Sequence, residues 1–378
     1  MIKIPLTKPY LDEAEQKAAA RAIASGWVSQ GPRVAEFESV VAKYVGTRYA
    51  VATASCTAAL HTALLCFNIG PGDEVIVPSF TFIASANSIL YTGATPVFVD
   101  IDPRTYNIDA SKIEEAITVK TKAIMPIHQI GLSADMDPIL NIARKHKLHT
   151  IEDAAPTLGE EYKGRRIGSI SALTCFSFHP RKIITTGEGG MLTTDNKELA
   201  EMAQLIRSHG ASVSAFNRHQ ASKVIFEKYD HLGYNYRMTD IQAALGIEQM
   251  KKLEEIIERR RRLGQRYNEK LAGLTYIETP YVPPYARHTY QSYIIRIKGG
   301  CPVSRNEIMQ QMLERGIATR RGVMAIHLEP YYRKRSGQIS LPITEEATQS
   351  TMLLPIFTTM SDEEQDFVVS SLREIVGE

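Results

Sequence analysis

Between about residues 35 and 200 the chain repeats one pattern: a short apolar run, a turn, then a segment with helical spacing. The strand-like runs are Tyr49–Thr53, Glu74–Pro78, Pro96–Val99, Lys122–Ile127 and Leu148–Ile151. Val34–Tyr44, Thr57–Phe67, Ile83–Tyr91 and Pro138–His146 read as helices. Strands alternating with helices of about ten residues predict parallel βα units. The runs are almost wholly apolar, as they must be where helices cover both faces of a sheet. The expected fold is therefore α/β, with a mainly parallel sheet between helices. Such sheets bind ligands at the carboxyl ends of their strands.

The pattern changes after residue 240. Ile241–Leu271 reads as one long amphipathic helix, with Leu253, Ile256, Ile257, Leu263 and Tyr267 on one side. Pro280–Pro284 resembles a connector, and residues 288–378 read as a smaller α+β unit. The expected division is a large domain over 12–250 and a small domain over 251–378, with residues 1–11 packed on the small one. Ala211–Tyr229 reads as a flap or a surface hairpin. Within the run Arg259–Arg262, Glu255–Arg259 and Glu258–Arg262 have the spacing of helix ion pairs. A solvated helix face is the expectation there.

Composition narrows the function. Lys+Arg 44 minus Asp+Glu 42 gives a net charge of +2. That balance supplies no general field for nucleic acid or an anionic membrane. No apolar run reaches the ~18 residues of a membrane span. The N-terminus has no apolar signal core. The four cysteines, Cys56, Cys66, Cys175 and Cys301, are widely spaced, without the pairing of a zinc site or a disulfide framework. A cytoplasmic protein with no metal site is expected.

Four segments carry chemistry. Lys182 lies between the apolar run ending at Phe178 and the stretch Thr185-Thr-Gly-Glu-Gly-Gly190, where backbone can pass close to a flat ligand. Asp153 lies at the end of a predicted buried strand and is followed by two alanines. Thr53-Ala-Ser-Cys-Thr-Ala-Ala-Leu60 joins a strand to a helix through small residues, so the first helical N–H groups could hold a phosphate. Phe82 follows the next strand, where an aromatic can stack on a planar ligand. Each alone also fits an ordinary role: loop lysine, helix cap or core phenylalanine.

Together these segments resemble the DegT/DnrJ/EryC1/StrS family of sugar aminotransferases, which are fold-type I pyridoxal phosphate enzymes. The likeness spans nearly the whole chain. It runs through Gly26-Trp-Val-Ser-Gln-Gly-Pro32, Ser55-Cys-Thr-Ala-Ala-Leu60, Gly70-Pro-Gly-Asp-Glu-Val-Ile-Val-Pro78 and Glu152-Asp-Ala-Ala155. It continues through Phe176-Ser-Phe-His-Pro-Arg-Lys182, Thr185–Gly190 and Gly233-Tyr-Asn-Tyr-Arg237. The resemblance implies Lys182 as the Schiff-base lysine and Asp153 as partner of the pyridine nitrogen. It implies Thr57, Ala58 and Ser177 at the phosphate and Phe82 on the ring. Asn235 and Arg237 lie in the segment that, in this family, reaches the neighbouring subunit's cofactor, which implies a homodimer with shared active sites. Two positions depart from the family pattern. Pro156 stands where Gln or His is usual, and Cys56 where Gly is frequent.

The implied reaction passes an amino group from an amino acid, most simply glutamate, through the pyridoxamine 5'-phosphate form of pyridoxal 5'-phosphate. The implied acceptor is a nucleotide-linked keto-deoxy sugar for polysaccharide or related glycan synthesis. Ile83–Ser88 and Lys182–Thr186 are similar to the same segments of C4-aminating, perosamine-forming relatives, which favours C4 slightly over C3. His179, Arg181, Arg320, Arg321, His327 and Tyr331 are the expected substrate contacts at the mouth. One branch of the family carries His in place of the lysine and dehydrates the sugar; the lysine at 182 favours amino transfer. A regulatory relative without turnover is a further alternative. A nicotinamide enzyme is disfavoured by the absence of a GxGxxG after any strand.

Overall fold

The computed structural model describes residues 3–213 and 221–378. Residues 214–220 of the expected flap lie outside the described residues. The strands of the large domain are β1 Tyr49–Thr53, β2 Glu74–Pro78, β3 Thr95–Val99, β4 Thr121–Ile124 and β5 His149–Asp153. A small hairpin, β6 Glu161–Tyr162 and β7 Arg165–Arg166, precedes β8 Leu173–Ser177 and β9 Gly190–Thr194. Seven of these form one sheet in the order β1-β9-β8-β5-β4-β2-β3. Every pairing from β8 to β3 is parallel, whereas β9 runs antiparallel to both β8 and β1. A parallel return normally needs a helical crossover, and the Phe178–Gly189 connection contains none.

Edge strand β1 is shielded by side chains. Glu38 accepts the Ala52 N–H at 2.8 Å, and Arg207 donates to the Ala52 carbonyl at 2.7 Å while pairing with Glu38. The outward-facing peptide of this edge is thereby unavailable to another strand.

The long helix is Asp240–Leu271, opened by a Thr239–Gln242 capping box. It passes unbroken through the expected division at 250/251. Met250, Leu253, Ile256 and Ile257 belong to the large-domain core, while Leu263, Tyr267 and Leu271 belong to the small-domain core. The change of core thus follows Ile257. Arg260 sits at this junction, 2% exposed. It donates to the carbonyls of Tyr290, Gln291 and Ile356 at 3.0, 2.5 and 3.3 Å. Burial pushes its pKa down to about 10. The expected solvated face therefore holds for Arg259, paired with Glu255, but not for Arg260. Glu258 pairs with Arg261 and Arg287 instead of Arg262.

The small domain holds an antiparallel sheet, β10 Ile277–Glu278, β11 Tyr293–Ile297, β13 Thr351–Leu354 and β12 Arg320–Arg321, in that order. The N-terminal segment joins it. Ile4 bonds along Gly316–Ala318 and lies in the same core.

The two ends of the large domain meet at Asp240. Its carboxylate accepts the N–H groups of Gly31 (2.7 Å), Val34 (3.0 Å) and Arg33 (3.1 Å). These belong to the start of helix Pro32–Val45, whose N-cap, Gly31, has no capping side chain. The cap is supplied from across the chain, and a Cβ at Gly31 would lie 2.8 Å from Asp240 Oδ2. We expect Asp240→Ala to cost about 2 kcal/mol, because three N–H groups lose a charged acceptor. Asp240→Asn should recover part of the loss. Denaturation midpoints check this; an unchanged midpoint in Asp240→Ala would remove the cap from the account of stability.

Candidate active site

The site residues converge at the carboxyl ends of β5, β8 and β2 and at the start of the helix that follows β1. That helix, Cys56–Cys66, is capped by Ser55, whose hydroxyl accepts the Ala58 N–H at 3.1 Å. The N–H groups of its first turn have no intrahelical acceptor and carry the positive end of the helix dipole. Thr57 is half-buried there and Ala58 is buried. Gly190 pairs with Thr53 on one side and with Ser177 on the other. A Cβ at Gly190 would lie 2.4 Å from the Ser55 carbonyl and 2.6 Å from the Cys56 nitrogen. Only glycine lets β9 pass under the helix start, and this brings Ser177 next to that start.

Asp153 is the last residue of β5 and is buried. Its Oδ2 accepts the Ser85 hydroxyl at 2.7 Å and its Oδ1 accepts the Ala155 N–H at 3.1 Å. Its own peptide bonds to Pro126 O and to the His128 N–H. By strand alternation the preceding Glu152 faces the opposite side of the sheet. There it meets His128 Nε2 at 2.7 Å. His128 Nδ1 accepts the Ala134 N–H, so the ring proton sits on Nε2 and is donated to Glu152. Burial pushes Glu152 up, but this bond and those from Ser171 and Thr174 hold it below the usual carboxylate range.

Lys182 lies in the Phe178–Gly189 connection, with its N–H on His179 O at 2.8 Å. Burial pushes its ammonium below the ordinary lysine pKa, against the opposing pull of Asp153 and Cys56, and Arg181 adds to the lowering. The lysine is thus within electrostatic reach of both Asp153 and the helix start. Thr185 shapes the connection by donating to Phe178 O and accepting the Gly187 N–H. Gly187 has φ +82°, which favours glycine. Cys56 is a buried thiol pushed up by burial and directed at Cys175 O, a packing role. Phe82 is 59% exposed, so it is not a core residue and offers a free ring beside Asp153's support. Pro156 is buried and has no N–H to donate.

The expected mouth residues divide. His179 is half-buried; burial pushes it below the usual imidazole pKa, and its Nδ1 accepts the Arg181 N–H. Burial, and the charge of Arg320, lower Arg181. Arg321 is the next residue of β12 and faces the other way. It pairs with Glu329 at 3.2 Å and lies near Arg305. Strand alternation therefore sets it apart from Arg320. The expected place of His327 is corrected. It is buried, with Nδ1 on Ser79 Oγ at 2.7 Å and Nε2 on Glu345 at 3.3 Å, so neither ring nitrogen is available to a substrate. Tyr331 is exposed, whereas Tyr332 is buried with its hydroxyl on Asn87.

Asn235 and Arg237 flank Tyr236, which ties this segment to the cradle. The Ala54 N–H donates to Tyr236 O at 2.7 Å, and the Tyr236 hydroxyl meets His61 Nδ1 at 3.0 Å. Tyr234 stacks on Tyr236 with ring centroids 5.1 Å apart. Asn235, between them, is exposed. Sequence reasoning missed Ser85, Thr81, His61 and Tyr236. The signal for Ser85 was its place in the first turn of helix Ala84–Tyr91, just past a strand's carboxyl end. The signal for Tyr236 was its alternation with Asn235 and Arg237.

Among the described residues no group of three His, Cys, Asp or Glu is placed to hold a metal, and no helix is long and apolar enough to cross a membrane. A family model described as the DegT/DnrJ/EryC1/StrS aminotransferase family matches residues 9–373. The chain is 41% identical to the spore coat polysaccharide biosynthesis protein SpsC of Bacillus subtilis, over 99% of this chain and 97% of that one. It is 40% identical to the GDP-perosamine synthase of Caulobacter vibrioides, over 99% and 98%. Its structure is similar to that of Spr1654 from Streptococcus pneumoniae, assigned as a sugar aminotransferase and solved in its PMP form. The TM-score is 0.94, with 31% identity and 99% of each chain covered.

Proposed function

The chain belongs to the DegT/DnrJ/EryC1/StrS aminotransferase family, whose cofactor is pyridoxal phosphate, and from that premise we propose that it aminates a nucleotide-linked keto-deoxy sugar at C4 with glutamate as donor. The observation that carries the reading is Lys182, its pKa lowered by burial against the pull of Asp153 and Cys56, with a helix start that admits only glycine at position 190. The residues present fit the cofactor. Thr57, Ala58 and Ser177 would hold its phosphate, Phe82 would cover the ring, Asp153 would take the ring nitrogen and Lys182 the aldehyde carbon. Bound there, pyridoxal phosphate supplies an electron-withdrawing ring and a carbon that accepts and returns the amino group.

The protein's own part is positioning and proton transfer. Asp153 keeps a proton on the ring nitrogen through a charge-assisted hydrogen bond. Lys182, as a neutral amine, takes the proton from the donor's Cα and returns it at the cofactor's C4′. Arg181 and Arg320, whose charges act on one another, suit the diphosphate of a nucleotide sugar. The likeness to the GDP-perosamine synthase supports C4. The exposed Asn235 supports a homodimer in which this segment serves the partner's cofactor. The four cysteines are free thiols, which supports a reducing, cytoplasmic setting.

The test is the first half-reaction. Purified protein loaded with pyridoxal phosphate is expected to show a visible absorption band that glutamate converts to the pyridoxamine form. A band that glutamate leaves unchanged would remove the donor assignment. A panel of keto-sugar nucleotides then decides the acceptor. A monomer by sedimentation would remove the shared site.

A further inference from the structure

Asp153 does not stand alone under the site. Its Oδ2 accepts a hydrogen bond from Ser85 Oγ at 2.7 Å, and Ser85 Oγ lies 3.1 Å from Thr81 Oγ1. All three side chains are buried, with exposures of 5%, 1% and 2%. A carboxylate only accepts, so Ser85 must spend its single proton on Asp153. Thr81 must then be the donor to Ser85. The hydroxyls form a directed chain, Thr81 to Ser85 to Asp153, in which each bond polarises the next. The second oxygen accepts the Ala155 N–H.

The same turn performs a second task. Thr81 and Ser85 bracket Phe82, which is exposed, while Thr81 and Ser85 are buried. The turn is anchored from below: the Ser85 N–H bonds Phe82 O, Ser88 Oγ bonds Ser85 O, and the Thr81 N–H bonds Ser79 O. One short segment therefore sets both the aromatic face and the donors behind the carboxylate.

We propose that Ser85, backed by Thr81, is a positioning residue that holds Asp153 aimed toward the cofactor's ring nitrogen. The inference rests on the proposed assignment of Asp153 and adds to it the source of that carboxylate's orientation. Ser85 does not touch the reacting atoms and acts only through Asp153.

The experiment uses the full chain and pyridoxal phosphate labelled with 15N in the ring. In the parent the ring nitrogen should show the chemical shift of a protonated pyridinium across the neutral range. In Ser85→Ala it should move toward the unprotonated value, and the dissociation constant for the cofactor should rise roughly tenfold, the scale of one hydrogen bond to a charged group. Thr81→Val, which keeps the shape and removes the second donor, should give a smaller shift in the same direction. Ser85→Thr, which keeps the hydroxyl, should restore the parent's shift. A merely structural role would weaken binding without moving the ring-nitrogen signal. An unchanged shift in Ser85→Ala, with Asp153→Asn still moving it, would overturn the relay and leave the Asp153 assignment intact. A parent that binds no pyridoxal phosphate would overturn both.

Discussion

Lys182→Ala is expected to lower the glutamate half-reaction by about four orders of magnitude, the range spanned by losing a positioned acid–base and its covalent link. The proposed role demands two things of this side chain. It must bond the cofactor's aldehyde carbon, and after release it must carry a proton as a free base. An ordinary lysine is protonated at neutral pH and cannot accept that proton. Burial lowers the pKa here, and Asp153 and Cys56 limit the drop. The sign follows: as pH falls through the lowered pKa the amine protonates, so the rate should decline toward acid, at a lower pH than an ordinary lysine would impose. Lys182→Arg should be equally inactive, since a guanidinium cannot be deprotonated in this range. Two measurements check the assignment. Borohydride should fix pyridoxal phosphate to the parent but not to Lys182→Ala, and a small primary amine in solution should restore part of the lost rate. Retention of more than a tenth of the parent rate in Lys182→Ala would move the proton transfer to another group.

What could be read in advance follows the range of the forces involved. The parallel strands and their helices were legible because both carry strong local periodicity, and the long helix was predicted within a residue of its observed start. The placing of Asp153 and of the Ser55–Ala58 turn was legible because each lies where a strand ends. Antiparallel β9 was not legible, since its direction depends on the lack of a helix between Phe178 and Gly189. Arg260 was misread because helical spacing alone cannot tell a solvated arginine from one whose guanidinium meets three carbonyls of another domain. His327 was placed at the mouth for a related reason. An imidazole near the mouth in sequence can turn inward when Ser79 and Glu345 provide partners. Arg320 and Arg321 show the simplest case: adjacent residues of a strand cannot both face one pocket.

The second large effect should come from Asp153. A buried carboxylate about 4 Å from a cationic ring nitrogen contributes about 4 kcal/mol at an effective dielectric constant of 20. Removing that contribution from the charge the reaction builds on the ring corresponds to about a thousandfold in rate. Asp153→Ala measures this imperfectly, because Ser85 and the Ala155 N–H would be left without their acceptor, at a cost of about 1–3 kcal/mol in stability. Asp153→Asn separates the two. Its amide oxygen can still accept from Ser85, although the Ala155 N–H loses its acceptor, while the neutral amide cannot hold a proton on the ring nitrogen. Both variants should therefore lose about the same activity, and Asp153→Ala should lose more thermal stability than Asp153→Asn. The loss should appear in the rate of the half-reaction at saturating glutamate, since the carboxylate faces the ring and not the donor. Asp153→Asn within tenfold of the parent would mean that the ring nitrogen works unprotonated in this enzyme. The buried donors converging on Asp153, stronger to a charged acceptor than to a neutral one, argue against that outcome.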